Sequence, residues 1–202
     1  NGVFRGNGSN RFVNCSIVGN QSGNEGGVAL LQTGDSVTIE NSIIWDNTSL
    51  SSGNDFFVNT QSISANYSIF DPSQSTENIS GTNNQNINPG LIDANGTDNL
   101  YGSLDDDFSL SNTSPAINAG SDGVANYQPT DIIGNSRLGL PEIGAFEFLS
   151  NTLPVITSGA NQTTFENTSL ILQVSATDIN GDTLIYSITG GTDQSLFSIK
   201  SD

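Results

Sequence analysis

Apolar residues along this chain come in short runs broken by polar and glycine-rich stretches, without the periodicity of a helix. One run recurs. Asn14-Cys-Ser-Ile-Val-Gly-Asn20 returns as Asn41-Ser-Ile-Ile-Trp-Asp-Asn47 and again as Asn66-Tyr-Ser-Ile-Phe-Asp71, the leading Asn residues standing 27 and then 25 positions apart. Each unit places Ile three residues after the Asn (Ile17, Ile44, Ile69) and then a bulky apolar residue (Val18, Trp45, Phe70). A β-rich unit of this length cannot bury its apolar side alone and becomes stable by stacking on similar neighbours. The spacing predicts an all-β fold, a parallel β-helix whose coils each supply short strands joined by turns. Asn tolerates the left-handed backbone region, so it would turn the corner between strands, and its stacked amides would form a ladder.

Taken in order, the pattern supplies strands and little else. Phe12 to Asn20 forms a first strand pair, and a glycine corner (Gly23, Gly26, Gly27) leads to the apolar run Val28-Ala-Leu-Leu31. Val37-Thr-Ile-Glu40 alternates with period two, which points Val37 and Ile39 inward. Thr48–Asn54 reads as a polar loop, Phe56-Phe-Val58 as a return to the stack, and Ile63 with the third Asn motif completes it. Residues 1–71 are thus read as β-helix coils, a stack only about 15 Å tall at about 4.8 Å per strand. Residues 72–88 are nearly all Ser, Thr, Asn, Gln and Gly, a surface-loop composition. Short strands follow at Asn88-Pro-Gly-Leu-Ile-Asp93, Asp107-Phe-Ser-Leu110, Ser114-Pro-Ala-Ile-Asn-Ala-Gly120 and Asp131-Ile-Ile-Gly134, and the segment closes with Pro141-Glu-Ile-Gly-Ala-Phe-Glu-Phe148. Residues 72–148 would form the loop and C-terminal cap, covering an open apolar end that could otherwise pair with another chain.

Composition narrows the function. The 202 residues allow one or two domains, and 21 acidic side chains against four basic ones (Arg5, Arg11, Arg137, Lys200) give a formal charge of −17. Phosphate binding needs clusters of Lys and Arg, so the balance argues against nucleic acid as a partner. An acidic surface rich in Asn, Ser, Thr and Gly suits an extracellular protein in salty surroundings, where self-repulsion is screened. The single cysteine, Cys15, has no partner within the chain and reads as a small buried group. No stretch approaches the roughly 18 apolar residues of a membrane helix. There is no signal peptide and no initiating Met, so the chain reads as an internal or processed piece of a longer protein.

Three separated pieces occur in a specific order: NPGLID (88–93), DDDFSLSNTSPAINAGSD (105–122) and DIIGNSRLGLPEIGAFEF (131–148). Together they resemble the C-terminal end of bacterial choice-of-anchor Q proteins, over residues 10–148. Asn118 and Glu142 stand where that family usually has Asp. The resemblance implies a right-handed parallel β-helix in a secreted setting. Such proteins end in varied anchoring or sorting domains, which makes this chain a candidate cargo of an export machine such as type 9 secretion.

Residues 149–202 differ in kind. Asn151-Thr-Leu-Pro154 reads as a linker, and Ser169–Ala176 as a strand with Leu170, Leu172, Val174 and Ala176 on one face. Thr183–Ile188 repeats the alternation with Leu184, Tyr186 and Ile188, after the Asn-Gly turn in Asp178-Ile-Asn-Gly-Asp182. The run from Phe165-Glu-Asn through Ala176-Thr-Asp-Ile-Asn to Tyr186-Ser-Ile and Phe197-Ser-Ile resembles a cadherin-type repeat. An Ig-like or cadherin-like sandwich needs about seven strands, so this one is incomplete. The resemblance implies a structural Ca²⁺ held by Glu166, Asp178, Asn180 and Asp182, oxygen donors that suit a hard cation. Asn180 replaces a charged ligand there, and the same residues also fit a plain Asx-rich turn.

Two functional classes remain open. Many β-helices cleave polysaccharides, and a hydrolase of that shape needs paired acids facing outward from neighbouring coils. The coils offer Asp35, Asp46, Asp55 and Asp71, of which Asp46 and Asp71 fall at equivalent places in successive units. A lyase needs a cation beside the uronate and a base, yet the chain has no His and only Arg5 and Arg11 near the coils. Asp105-Asp-Asp107 reads as a solvated turn and is the second place to look for a metal. The Asn-x-Ser/Thr sequons follow from composition, and those at Asn14 and Asn66 coincide with the expected ladder; Asp35-Ser-Val37 and Asp182-Thr-Leu184 resemble O-glycosylation sites of Bacteroidota. The reading is therefore a non-catalytic segment of a large secreted or cell-surface bacterial protein, serving adhesion or scaffolding toward cell-surface glycans or other surface proteins. The alternative is the C-terminal part of a polysaccharide-degrading β-helix enzyme whose active site lies in upstream coils.

Overall fold

The computed structural model describes residues 4–5, 8–23, 27–31, 34–50, 56–58, 63–73, 79–159, 165, 173–178 and 183–199. The chain divides into two compact units, Asn1–Phe148 and Leu149–Asp202. The fold is all-β. Among the described residues the one helical element is a single 3₁₀ turn at Gln194–Leu196.

The first unit opens with β1 (Phe4–Arg5), β2 (Ser9–Val13), β3 (Ser16–Val18) and β4 (Gln21–Ser22). The pattern then repeats as β5 (Ala29–Leu31), β6 (Ser36–Glu40), β7 (Ile43–Trp45) and β8 (Thr48–Ser49), and again as β9 (Phe56–Val58), β10 (Ile63–Asn66) and β11 (Ile69–Phe70). Strands adjacent in sequence do not pair here. Each pairs in parallel with its counterpart one repeat later, giving the sheets β1-β5-β9, β3-β7-β11 and β4-β8. A fourth sheet, β2-β6-β10, is extended by β12 (Ile79–Ser80). Period-two alternation sorts the side chains. Ile17, Val28, Val37, Ile39, Ile44, Ile63, Ala65 and Phe70 point to one side and form a buried core, as expected for Val37 and Ile39.

The register departs from the sequence motif in the third unit. Ile17 lies opposite Ile44, but Ile44 lies opposite Phe70, and Ile69 opposite Ile43. Asn14 and Asn41 do take the left-handed corner, at φ 52° and 48°, whereas the third corner is Tyr67 at φ 51°. Asn66 instead ends β10, and its Oδ1 accepts the Thr82 N–H at 3.0 Å. A column of small polar groups pins this register. The Cys15 N–H donates to Ser42 Oγ at 3.1 Å, the Ser42 N–H to Ser68 Oγ at 3.2 Å, and the Ser68 N–H to Asn84 Oδ1 at 3.2 Å. Ser42 and Ser68 each donate in turn to the carbonyl two residues back. The expected Asn14–Asn41 amide ladder does not form, because Asn41 bonds Ser121 through both amide atoms. An amide contact between repeats occurs at the other end of the motif, where Asn20 Nδ2 donates to Asn47 Oδ1 at 3.0 Å.

Two further expectations are corrected. Part of the polar stretch 72–88 joins the stack rather than looping out. Ile79 pairs with Ile63 and packs against the core, and Gln85 bridges Ile69. Of the segment 72–148 expected as loop and end cap, residues from Leu91 to Phe148 pack along a side of the stack. Val18, Ile43 and Ile69, from three successive repeats, form a second buried core with Leu110, Ala116 and Ile143. Backbone bonds tie the two together: Gly144 N–H to the Asn41 carbonyl at 2.8 Å, and Ala145 N–H to Ser16 Oγ at 3.0 Å. The physical reason lies in the outer face of β3-β7-β11, which is as apolar as the inner one and would otherwise face water. Within this flank β13 (Leu91–Asp93) and β14 (Asp107–Leu110) pair antiparallel.

Among the described residues of the second unit one short antiparallel pair forms, β15 (Val155–Ile156) with β16 (Ala176–Thr177). The expected strand at 183–188 does not form, and Ile185 and Tyr186 are exposed. Of the expected strand 169–176, residues 169–172 lie outside the described residues.

Candidate functional site

Acidic side chains are the chemically active groups most abundant here, and they fall into three clusters. On the stack, Asp46 and Asp71 are brought together, though not as equivalents: Asp71 falls in register with Trp45 and Val18. Asp71 is buried, its Oδ1 accepting the Ser73 N–H at 2.8 Å and hydroxyl at 2.7 Å, its Oδ2 the Asp46 N–H at 3.3 Å. Asp46 accepts the Tyr101 hydroxyl, and the Tyr101 ring lies over Gly19, where a Cβ would stand 2.1 Å from it. Burial first, then the Asp46 bond and charge, push the Tyr101 phenol well above its ordinary value. The pair therefore fastens a corner of the stack to the flank. Asp35 Oδ1 accepts the Gly8 N–H at 2.8 Å, Glu40 forms an ion pair with Arg11, and Asp55 lies outside the described residues.

The second cluster is the exposed turn 97–107. Asp105 accepts the Thr97 N–H at 2.8 Å, the Thr97 hydroxyl at 2.6 Å and the Ser103 hydroxyl. These donors, Ser103 foremost, hold its carboxyl well below the usual carboxylate range. Asp106 accepts the Gly102 N–H at 2.6 Å, and Asp107 the Ser109 N–H at 2.9 Å. The triple Asp lies in an exposed turn, as expected, and its carboxylates act as Asx-type turn stabilisers.

The third cluster is buried, and the sequence reading did not foresee it. Asp131 accepts N–H groups from Ile133 at 3.0 Å, Asn135 at 2.7 Å and Glu147 at 3.1 Å. Burial opposes its charge, yet these bonds outweigh that and hold its carboxyl below the ordinary range. Arg137 donates to Glu147 Oε2 at 3.3 Å and to the Gly144 carbonyl at 2.9 Å, with both side chains almost wholly buried. Glu142 is 2 % exposed and hydrogen-bonds Glu147. Burial, then the bond and charge of Glu147, push its carboxyl up to about 8. The legible signal is an inversion of pattern. Asp131 and Arg137 point inward while Ile132, Ile133, Leu138 and Leu140 point outward, the reverse of an ordinary hairpin.

Of the residues expected to hold calcium, Asp178 is half-buried and follows β16, whereas Glu166, Asn180 and Asp182 lie outside the described residues. Among the described residues no group of three or more His, Cys, Asp or Glu is placed to hold a metal ion, and no helix is long and apolar enough to cross a membrane. No family model matches the chain, and no curated protein matches it.

Proposed function

We propose that this chain is a non-catalytic segment of a large secreted or cell-surface bacterial protein, serving adhesion or surface scaffolding. In this reading residues 1–85 are the last coils of a right-handed parallel β-helix, 86–148 a flank that stiffens them, and 149–202 part of a cadherin-like domain. The observation that carries it is the use made of the acids. Asp35, Asp71, Asp105, Asp106, Asp107 and Asp131 each accept a backbone N–H, so the carboxylates organise turns and corners. A glycosidase needs two carboxyl groups free to face one bond, at about 5 to 9.5 Å. Partners on this reading are cell-surface glycans or other surface proteins, with Ca²⁺ entering only through Glu166, Asp178, Asn180 and Asp182, and export-machine cargo as the route outside. The test is to incubate the purified chain with acidic and neutral polysaccharides, with calcium and with chelator, and measure both retained chain and new chain ends. Retention without new ends is expected. New reducing or unsaturated ends, lost in an Asp46→Asn or Asp71→Asn variant, would overturn the reading in favour of a polysaccharide-degrading enzyme.

A further inference from the structure

Glu142 sits where the flank is fastened to the stack. Two bonds beside it hold the flank together, Gly120 N–H to the Pro141 carbonyl at 2.8 Å and Ile143 N–H to the Ala116 carbonyl at 3.0 Å, and the next reaches the stack, Gly144 N–H to the Asn41 carbonyl at 2.8 Å. Beside Glu142 lie two more acids, Glu147, which pairs with Arg137, and Asp131, which accepts the Glu147 N–H. Arg137 directs Nη1 to Glu147 and Nη2 to the Gly144 carbonyl, its buried Nε having no partner, and the ionisable group that Glu142 itself hydrogen-bonds is a like-charged one, Glu147. Glu142 Oε2 is buried with no hydrogen-bond partner. Burying a carboxylate oxygen without a donor is costly, and two adjoining buried carboxylates cannot both ionise cheaply.

We propose that Glu142 holds the flank on the stack only while it keeps its proton, so that mild alkali releases residues 112–148 from β3-β7-β11. The groups that face Glu142 agree on this sign. The hairpin 130–137 brings Arg137 and Asp131, and the turn before it brings Tyr127, with Asp122 beyond. The segment 112–120 offers the Asn118 N–H, and the stack offers only neutral groups, Asn41 and Ser16, through Gly144 and Ala145. Only Arg137 among these is positive at neutral pH. The raised carboxyl sets the window: in the unfolded chain Glu142 loses its proton in the ordinary carboxyl range, in the fold at about 8. Its stabilising contribution is complete below the ordinary range and drains away as pH rises toward the folded value.

Trp45 is the single tryptophan and packs against the core beneath the flank, so it reports release. The experiment follows Trp45 emission of the whole chain from about pH 6 to about pH 9.5, with Glu142→Gln in parallel. The expected result is a red shift centred near pH 8 in the wild type and none in Glu142→Gln, whose amide needs no proton. A flat wild-type response, or the same transition in Glu142→Gln, overturns the proposal. Should that variant fail to fold, the carboxyl-carbon NMR titration of Glu142 in the wild type decides. A midpoint near 8 that coincides with the Trp45 transition is expected; a midpoint in the ordinary carboxyl range, or one without release, overturns it.

Discussion

Ile43→Ala tests whether the flank and the stack form one folding unit. Ile43 lies on the face of β7 turned away from the first core and is 0 % exposed, because Val18, Ile69, Leu110, Ala116 and Ile143 close over it. A Cβ on Gly144 would come within 2.8 Å of Ile43 Cδ1, so the contact is tight. Removing three carbons forfeits about 2.4 kcal/mol of transfer energy at about 0.8 per carbon. The cavity left behind carries the cost to about 3 to 4 kcal/mol. For a chain of this size that corresponds to a fall in Tm of about 6 to 16 °C. Urea unfolding followed by both circular dichroism and Trp45 emission measures it, with Ile44→Ala in the first core as the matched control. Comparable losses in the two variants are expected. A loss below about 0.5 kcal/mol for Ile43→Ala, the level of an exposed site, with Ile44→Ala costly, would refute the reasoning, since Ile43 would then face water.

Four further outcomes follow from the same contacts. Gly81→Ala should destabilise by about 2 kcal/mol or more, because φ is +132° and a Cβ would stand 1.8 Å from the Ala65 carbonyl oxygen, leaving β12 unable to pair; thermal melting checks it. Tyr101→Phe should cost under about 1 kcal/mol while Tyr101→Ala costs more, since the ring covers Gly19 and the hydroxyl only reaches Asp46. Asp131 gives stability that is present above the ordinary carboxylate range and lost as pH falls through its lowered value; Asp131→Asn should shrink that acid-side loss and cost about 1.5 to 3 kcal/mol at neutral pH, read from unfolding midpoints against pH. Burial pushes the Cys15 thiol up, so a thiol reagent should react slowly with the native chain and fast in urea, and Cys15→Ser should be tolerated because Ser42 and Ser68 hold the same place in the column.

The repeat was legible because stacking demands the same residue types at the same rung, and Ile17 and Ile44 do meet as the motif implies. The third rung was misread by one residue. Asn66 looked like the corner, but it is followed by Tyr67 and then Ser68, and the buried column runs through Cys15, Ser42 and Ser68. Aligning Ser42 with Ser68 would have found it, but the same rule picks Ser16 rather than Cys15 in the first unit, where Ser16 lies opposite Ile43. The side-on flank was harder to see, since Val18, Ile43 and Ile69 alternate with inward residues and an uninterrupted apolar run does not say what covers its outer half. The buried Asp131–Arg137–Glu142–Glu147 cluster escaped for a related reason: its partners lie up to 16 residues apart, and charged residues carry an expectation of exposure that only tertiary packing overrides.

The register itself is open to direct measurement. In a Cys15→Ser background, Thr38→Cys with Ser64→Cys places two thiols on neighbouring parallel strands, directly opposite and on the outward face. Their strands lie about 4.8 Å apart, within the about 4.4 to 6.8 Å between Cα atoms that a disulfide spans. Thr38→Cys with Ile63→Cys is the pair that the Asn motif would align, but Ile63 points into the core. Mild oxidation followed by thiol counting and intact mass should show ready cross-linking in the first pair and little in the second. The reverse order would contradict the stacking described here, and with it the placement of Asp46 and Asp71 as corner ties.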